Sequence, residues 1–534
     1  FKSVEKIPSD HLYHNFIQKI SALYFTPPLL FYKRIRTFIY SKEKKQEQFH
    51  TKKINEIATQ VLLTKEQQDI VASVQKDLCS PGFSPSLIHG VTNSGKTEIY
   101  KKLITSSISQ KKTVLLLLPE VSLSLQFEHI LKQQLPSIEI FSFHSASKQS
   151  DRKKMWASLQ KELPCLIIGV HLPIILPIPN LGLIIVDEEH ESGFQEKKHP
   201  KINSKELALW RAKEYNIPII LGSATPSLQT IHNSKQKGWK SFRLTKRFAG
   251  AFPKIEIVNL KKDKRRDSFW ISKQLENKIG QRLIKKEQIL IYLNRRGFCF
   301  FVQCKTCGYT FQCPQCSVTL TLHKHLSSPS SLRCHYCDHH QPAPSSCPEC
   351  KAPDKSLLKK GVGTQQITTI LQNMFPSAKV ARADLDTTSK KRCWHETIES
   401  FDSGEIDILV GTQTITKGYH FPNVTLIGVL WADLNMNFPI FNAREIALQQ
   451  LIQVAGRSGR GTKDGLVIVQ TINDSPIFDY IDETKYLKFC SLESEFRKQA
   501  LYPPFARLVQ IETKHEDQAI LDAETKLLMS KLTN

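Results

Sequence analysis

The 534-residue sequence predicts an α/β protein with two parallel-sheet lobes, a double-zinc insertion in the second lobe, and partial flanking domains. Three observations carry this. Short, near-continuous apolar runs recur at intervals that leave room for helices, in two separate sets, as strands buried on both faces of a parallel sheet do. A Gly-rich loop and an acidic turn each follow a run of the first set, where such a sheet presents its ligand-binding edge. Eight of the thirteen cysteines fall between positions 304 and 350, all in Cys-x-x-Cys pairs, and interrupt the second set.

In chain order, residues 1–40 mix aromatics (Tyr13, Phe16, Tyr24, Phe25, Phe31, Tyr32) with Pro27-Pro28 and read as the end of a separate domain. Residues 41–58 are a charged linker. The first lobe spans 59–245, with apolar runs at Thr113 to Leu118, Cys165 to Ile168, Leu183 to Val186 and Ile217 to Leu221. The second spans 246–303 and 351–480, with runs at Gln288 to Leu293, Ile408 to Val410, Val424 to Leu430 and Leu466 to Val469. The cysteine block, 304–350, lies inside it. Residues 481–534 open a further module, with Tyr502-Pro503-Pro504-Phe505 and a β-like run, Leu508 to Ile511.

Gly90-Val91-Thr92-Asn93-Ser94-Gly95-Lys96-Thr97 stands between the apolar run Leu87-Ile88-His89 and the amphipathic stretch Glu98 to Ile104. That is strand, phosphate loop and helix in the order an NTP site requires. Backbone N–H groups of the Gly90-to-Gly95 turn and of the helix start face the phosphates, Lys96 reaches the β and γ groups, and the Thr97 hydroxyl helps hold Mg²⁺. A Gly-containing turn with a solvent lysine is the plainer alternative. Asp187-Glu188-Glu189-His190 ends the run Leu183 to Val186. There Asp187 is expected to coordinate Mg²⁺ and Glu188 to polarise the water that attacks the γ-phosphoryl group; a surface acidic turn is the alternative.

The cysteine pairs are Cys304/Cys307, Cys313/Cys316, Cys334/Cys337 and Cys347/Cys350. Each is a knuckle able to supply half of a tetrahedral thiolate site, so eight sulfurs imply two Zn²⁺ ions. Ribbon-like spacing favours Cys313, Cys316, Cys334 and Cys337 as one site, which leaves the outer four for the other. Sequential pairing of neighbours stays open. A closed four-cysteine site offers no open coordination position, so these metals are expected to fold the insertion rather than perform chemistry.

A formal net charge of +24 favours a polyanionic partner. No apolar run reaches the roughly 20 residues that a membrane-spanning helix needs. No membrane partner is expected, and the cysteine pattern and phosphate loop indicate a reducing compartment, hence a cytoplasmic protein whose true N-terminus is not included.

Three further segments, Gly222-Ser223-Ala224-Thr225-Pro226, Gly411 to Gly418 and Gln453-Val454-Ala455-Gly456-Arg457-Ser458-Gly459-Arg460, complete a set that resembles the motifs of superfamily 2 helicases. The resemblance implies two RecA-like lobes closing on ATP. It also implies Arg457 and Arg460 reaching across to the γ-phosphate, Gln67 reading adenine, and Thr225 coupling hydrolysis to DNA contacts. With the cysteine order, the insertion after Asn294 to Phe298, Arg382-x-Asp384-x-Asp386-Thr387-Thr388, Phe421-Pro422-Asn423-Val424 and the Tyr502-to-Phe505 segment, residues 60 to 510 resemble the bacterial primosomal protein N′ (PriA) family of replication-restart helicases. Membership implies an ATP-dependent 3′→5′ DNA helicase that recognises and remodels stalled replication forks and initiates primosome assembly. Forked and single-stranded DNA, single-strand DNA-binding protein, primosome proteins and replicative-helicase loaders are then its partners. The resemblance also implies the nested zinc pairing, Cys304/Cys307/Cys347/Cys350 and Cys313/Cys316/Cys334/Cys337.

The chain departs from the family at Gly169-Val170-His171-Leu172-Pro173, where relatives carry Gly-Thr-Arg-Ser-Ala for DNA contact. It departs again at Phe194, Lys205 and Glu206, where Tyr, Arg and Asp are usual. An idle, fork-binding scaffold and a duplex-DNA translocase are the competing readings.

Overall fold

The computed structural model describes residues 7–40, 62–80, 82–144, 147–248, 250–263, 268–293, 302–314, 319–323, 330–334, 337, 339–358, 363–383, 391–412, 415, 421–436, 438, 440–459, 464–509, 511, 513 and 515–532. Two helices, α1 (Tyr13–Leu23) and α2 (Pro28–Tyr40), precede the first lobe. That lobe runs α3 (Lys65–Cys79), β1 (Pro85–Gly90), α4 (Lys96–Ser109), β2 (Thr113–Leu117), α5 (Val121–Gln134), β3 (Ile140–Phe143), α6 (Gln149–Gln160) and β4 (Leu166–Gly169). It continues with β5 (Leu181–Asp187), α7 (Ser204–Glu214), β6 (Ile219–Ser223), α8 (Leu228–Gln236) and β7 (Lys240–Leu244). The strands form one parallel sheet in the order β3-β4-β2-β5-β6-β1-β7.

Side chains alternate across a strand, and these strands are apolar at both parities, so the sheet builds a core on each face. Leu115, Leu117, Ile167, Ile184 and Val186 belong to one buried cluster, Val114, Leu116, Ile168, Leu183 and Ile185 to the other. The second cluster takes in α3 and α4 through Ile70, Val74, Ile99 and Leu103. The first includes Tyr13, Phe16, Ile17, Ile20, Phe31, Ile35 and Ile39 of α1 and α2. Of residues 1–40, expected as the end of a separate domain, α1 and α2 thus share the core of the first lobe. The Tyr13 hydroxyl donates to Ile175 O (2.7 Å), and the buried Arg211 donates to Ile174 O (2.9 Å) beside Asp10.

The second lobe contains β8 (Lys254–Asn259), α9 (Lys273–Ile284) and β9 (Gln288–Leu293) before the insertion. The insertion holds β10 (Gln303–Cys304), β11 (Thr321–His323), β12 (Ser331–Arg333), β13 (His340–Pro342) and β14 (Leu357–Leu358). After it come α10 (Thr364–Met374), β15 (Val380–Ala383), α11 (Lys391–Asp402), β16 (Ile408–Gly411), β17 (Val424–Leu430), α12 (Asp433–Met436), α13 (Ala443–Ala455) and β18 (Leu466–Thr471). Its parallel sheet has the order β15-β16-β9-β17-β18-β8. In the insertion β10 pairs with β14, and β11, β12 and β13 form an antiparallel meander.

The chain divides into two compact units, Phe1–Phe489 and Cys490–Asn534. The boundary falls inside α14 (Tyr486–Gln499), later than the expected module start at 481. In the second unit α15 (Gln518–Leu532) buries none of its residues. Leu508, Val509 and Ile511, expected as β-like, are not in a strand, and Gln510 lies outside the described residues.

Candidate nucleotide and metal sites

Strand β1 ends at Gly90, and the loop turns into α4 through Asn93 (φ 61°) and Gly95 (φ 77°). The left-handed turn at Gly95 excludes a side chain twice over. The backbone conformation strains a Cβ, and that Cβ would lie 2.4 Å from Gln67 Nε2. The Lys96 ammonium lies back over the loop and donates to Gly90 O (2.8 Å). Thr97 follows it in the first turn of α4, so both residues sit at the helix N-terminus, where N–H groups and dipole favour an anion.

Gln67 is buried beneath this loop. Its Nε2 donates to Ser94 O (2.9 Å) and its Oε1 accepts from Thr64 N (2.8 Å), completing the capping box that starts α3. The observed role of Gln67 is therefore to fix the phosphate loop to α3, whatever it reads in a bound base.

Strand β5 delivers Asp187 to the same sheet edge. Because β6 separates β5 from β1, Asp187 pairs in register with Gly222. Tyr100, one helical turn after Lys96, crosses that gap and donates its hydroxyl to Asp187 Oδ1 (2.9 Å). Burial, then the neighbouring Glu188 charge, pushes the Asp187 carboxyl up to about 7, while Lys96 and the Tyr100 hydrogen bond act in the opposite direction. Glu188 has φ 49°, a left-handed conformation that costs a non-glycine residue on the order of 1 kcal/mol. It is held there by the Glu189 N–H on Gly222 O (3.1 Å) and the Glu191 N–H on Glu188 O (3.0 Å).

Glu189 turns the other way, into the protein, and accepts from Lys205 Nζ (2.9 Å), Ser227 N (2.7 Å) and Thr230 Oγ1 (2.7 Å). Burial opposes its ionisation, but Lys205 and these donors hold its pKa below the usual glutamate range. The lysine that stands at position 205 thus ties the acidic turn to the start of α8. Phe194 is buried in the core of the first lobe, and His171 Nδ1 contacts Ser204 Oγ (3.2 Å).

The second lobe meets this edge through α13 and the turn after it. Gln453 Nε2 lies 2.8 Å from His190 Nε2, and His190 Nδ1 lies 2.7 Å from Ser223 Oγ, which also accepts from Thr225 N (2.9 Å). With the Gln453 amide donating, the imidazole accepts at Nε2 and donates at Nδ1. Gln449 donates to Thr225 O (3.1 Å), and Glu445 accepts from Leu228 N (2.7 Å). Gly456 lies against Thr92, where a Cβ would stand 2.7 Å from the Thr92 hydroxyl oxygen. Arg457 follows, half-buried; loss of water around its guanidinium pulls its pKa down to about 10, against the attraction of the Glu188 carboxylate. Thus Lys96, Thr97, Asp187, Glu188 and Arg457 converge, while Arg460 lies outside the described residues.

Glu483, Glu445, Gln449 and Tyr100 had not been expected from the sequence. Glu483 accepts from the Thr92 N–H of the phosphate loop (2.8 Å) and pairs with Arg247 (3.0 Å). Gln449 and Glu445 meet the edge from α13, and Tyr100, at i+4 from Lys96, finds its partner across β6 through strand order and not through helical spacing.

In the insertion, Cys304, Cys307, Cys347 and Cys350 bring their sulfurs within 4.8 Å of one another, as do Cys313, Cys334 and Cys337. Separations are 3.6 Å for Cys304/Cys350 and 3.5 Å for both Cys307/Cys347 and Cys313/Cys337. A tetrahedral zinc with Zn–S of about 2.3 Å needs sulfurs roughly 3.8 Å apart, so both clusters fit that metal. The grouping is the nested one, not the sequential one; Cys316 lies outside the described residues. The first cluster is seated on the second lobe: Trp431 Nε1 donates to Gln303 Oε1 (2.8 Å), and Asn473 Nδ2 donates to Gly308 O (2.8 Å).

Comparison with known proteins agrees with this geometry. Residues 53–234 match the DEAD/DEAH box helicase family, residues 357–462 the helicase conserved C-terminal domain, and residues 313–342 the PriA DNA helicase Cys-rich region domain. Replication restart protein PriA of Bacillus subtilis is 36% identical over 460 residues, 86% of this chain and 56% of that protein. Its namesake in Chlamydia trachomatis is 38% identical over 454 residues, 84% of this chain and 60% of the relative. That of Rickettsia prowazekii is 35% identical over 469 residues, 87% of this chain and 71% of the relative. The chain therefore spans little more than half the length of the first two of these relatives. Two RecA-like lobes, a cysteine-rich insertion in the second and this extent of identity place the chain in the replication restart protein PriA family of superfamily 2 helicases.

Proposed function

We propose that this chain is the ATP-driven motor of a 3′→5′ DNA helicase acting in the cytoplasm on stalled replication forks, where it remodels the fork and initiates primosome assembly. Forked and single-stranded DNA are its substrates. Single-strand DNA-binding protein, primosome proteins and replicative-helicase loaders are its partners.

ATP occupies the phosphate loop, with Lys96 leaving Gly90 O for the β and γ phosphates and Gln67 beside the adenine. Thr97 and Asp187 would hold Mg²⁺, which would supply positive charge against that developing on the transferred phosphoryl group. Glu188 orients the attacking water, and Arg457 and Arg460 stabilise the transition state from the opposite lobe. Release of the products loosens the Gln453–His190 and Gln449–Thr225 contacts, and the lobes step along the strand. Two Zn²⁺ ions, one on Cys304, Cys307, Cys347 and Cys350 and one on Cys313, Cys316, Cys334 and Cys337, hold the insertion folded.

The observation that carries this reading is that α13 of the second lobe meets the acidic motif and the Gly222-to-Pro226 segment of the first, with Gln453 Nε2 2.8 Å from His190 Nε2 and Gln449 Nε2 donating to Thr225 O (3.1 Å). ATP hydrolysis measured with forked, single-stranded and no DNA, together with unwinding of forks of both polarities, tests it. DNA-stimulated hydrolysis and 3′→5′ unwinding are expected; a flat, near-zero response favours the scaffold reading. Zinc released by a thiol-blocking reagent should amount to two ions per chain and fall to one in Cys304→Ser.

A further inference from the structure

The hydroxyl of Tyr100 belongs to no helicase motif recognised in the sequence, yet it sits at the centre of the nucleotide edge. Its ring is fully buried, and the hydroxyl donates to Asp187 Oδ1 (2.9 Å). It reaches that oxygen by passing over β6 at the one register position without a side chain. Asp187 and Gly222 are paired across the sheet, and a Cβ built on Gly222 would lie 1.8 Å from the Tyr100 hydroxyl oxygen and 3.2 Å from Asp187 Oδ1. Three residues from three elements, α4, β5 and β6, therefore interlock. A tyrosine is needed for reach, a glycine for clearance, and a carboxylate as acceptor.

We infer that Tyr100 is a positioning residue for the divalent cation: its hydroxyl fixes the rotamer of Asp187, and Gly222 exists in its motif to let that hydroxyl through. Tyr100 also stands at i+4 from Lys96 on the same face of α4. The helix that carries the phosphate-binding lysine thus carries the group that orients the metal-binding carboxylate, and the two are held in one rigid element. The inference deepens the reading of Asp187 as the Mg²⁺-holding carboxylate and rests on it. A purely structural tyrosine would need neither a hydroxyl aimed at Asp187 nor a neighbour stripped of its side chain.

Calorimetric titration of Mg²⁺ into the full chain saturated with ADP tests it. Tyr100→Phe keeps the ring and removes the hydroxyl; Mg²⁺ affinity should fall roughly tenfold, the order expected for losing a hydrogen bond to a charged group, while ADP affinity without Mg²⁺ stays unchanged. Gly222→Ala leaves Tyr100 in place but displaces its hydroxyl, so it should produce the same fall. Because both act through one contact, the double variant should be no weaker than the weaker single variant. Wild-type Mg²⁺ affinity in Tyr100→Phe, next to weakened affinity in Asp187→Asn, overturns the positioning role. Unchanged affinity in Asp187→Asn instead overturns the reading of Asp187 beneath it. Strictly additive losses in the double variant also contradict the inference, and this outcome is readable even if either variant is less stable.

Discussion

The two lobes contribute to the nucleotide edge in different ways. In the first, the groups proposed to hold the nucleotide, and those that brace them, are fixed from within: Gln67 on Ser94 O, Lys96 over Gly90 O, Tyr100 on Asp187, and Glu189 among Lys205, Ser227 and Thr230. Among the described residues the second lobe meets that edge through Gln449, Gln453, Glu445 and Gly456 of α13 and its following turn, where Arg457 is drawn to Glu188, and through Glu483 and Tyr486 beyond β18. On the proposed function, binding is thereby a property of one preorganised lobe, and turnover a property of both. A contact made across a closing cleft is the kind that a transition state strengthens and a ground state does not require.

The largest effect that would sharpen this contrast is expected for Lys96→Ala. Losing the phosphate-facing ammonium should remove hydrolysis by about a thousandfold or more, read as kcat in a coupled ATPase assay with forked DNA. Arg457→Ala should reduce kcat by roughly a hundred- to a thousandfold in the same assay, because the proposed role of its charge is to stabilise the transferred phosphoryl group.

Glu189 tests the internal side of the comparison. Glu189→Gln leaves Lys205 facing a neutral amide in a buried site and should cost on the order of 3 kcal/mol of stability, seen as a lower melting temperature. Its folded pKa is below the unfolded value, so its stabilising contribution is full above the unfolded pKa, near pH 4.3, and is lost as pH falls through the lower folded one. Melting curves taken downward from pH 5 should therefore converge for wild type and Glu189→Gln. Parallel curves would break the assignment. Gln453→Ala is the mildest change. It removes one hydrogen bond to His190 and should lower DNA stimulation of hydrolysis by about tenfold or less while leaving the DNA-free rate unchanged.

Much of both lobes was legible because their central strands are buried on both faces: Thr113 to Leu118 and Leu183 to Val186 in the first and Val424 to Leu430 in the second read as apolar runs, and the parallel sheets followed. Edge strands were not legible. In Lys240–Leu244 only Leu244 is buried, and in Lys254–Asn259 only Val258, so neither carries a continuous pattern. The phosphate loop and acidic turn were readable because their chemistry is local in sequence. Tyr100 was hidden because its partner is set by strand order, β5-β6-β1, and not by spacing. Glu483 lies 391 residues from the Thr92 it meets, and no local pattern signals such a contact. Nested cysteine grouping was legible in part, since spacing favoured the inner site while the docking of the outer site on Trp431 and Asn473 needed the fold.

The division of labour between the lobes is tested most directly by measuring the dissociation constant of a fluorescent ADP analogue for Lys96→Ala and Arg457→Ala beside their ATP turnover on forked DNA. Both variants should fail to turn over, and only Lys96→Ala should also lose affinity, by tenfold or more at about 1.4 kcal/mol per decade. Turnover by Arg457→Ala at the wild-type rate would contradict the account.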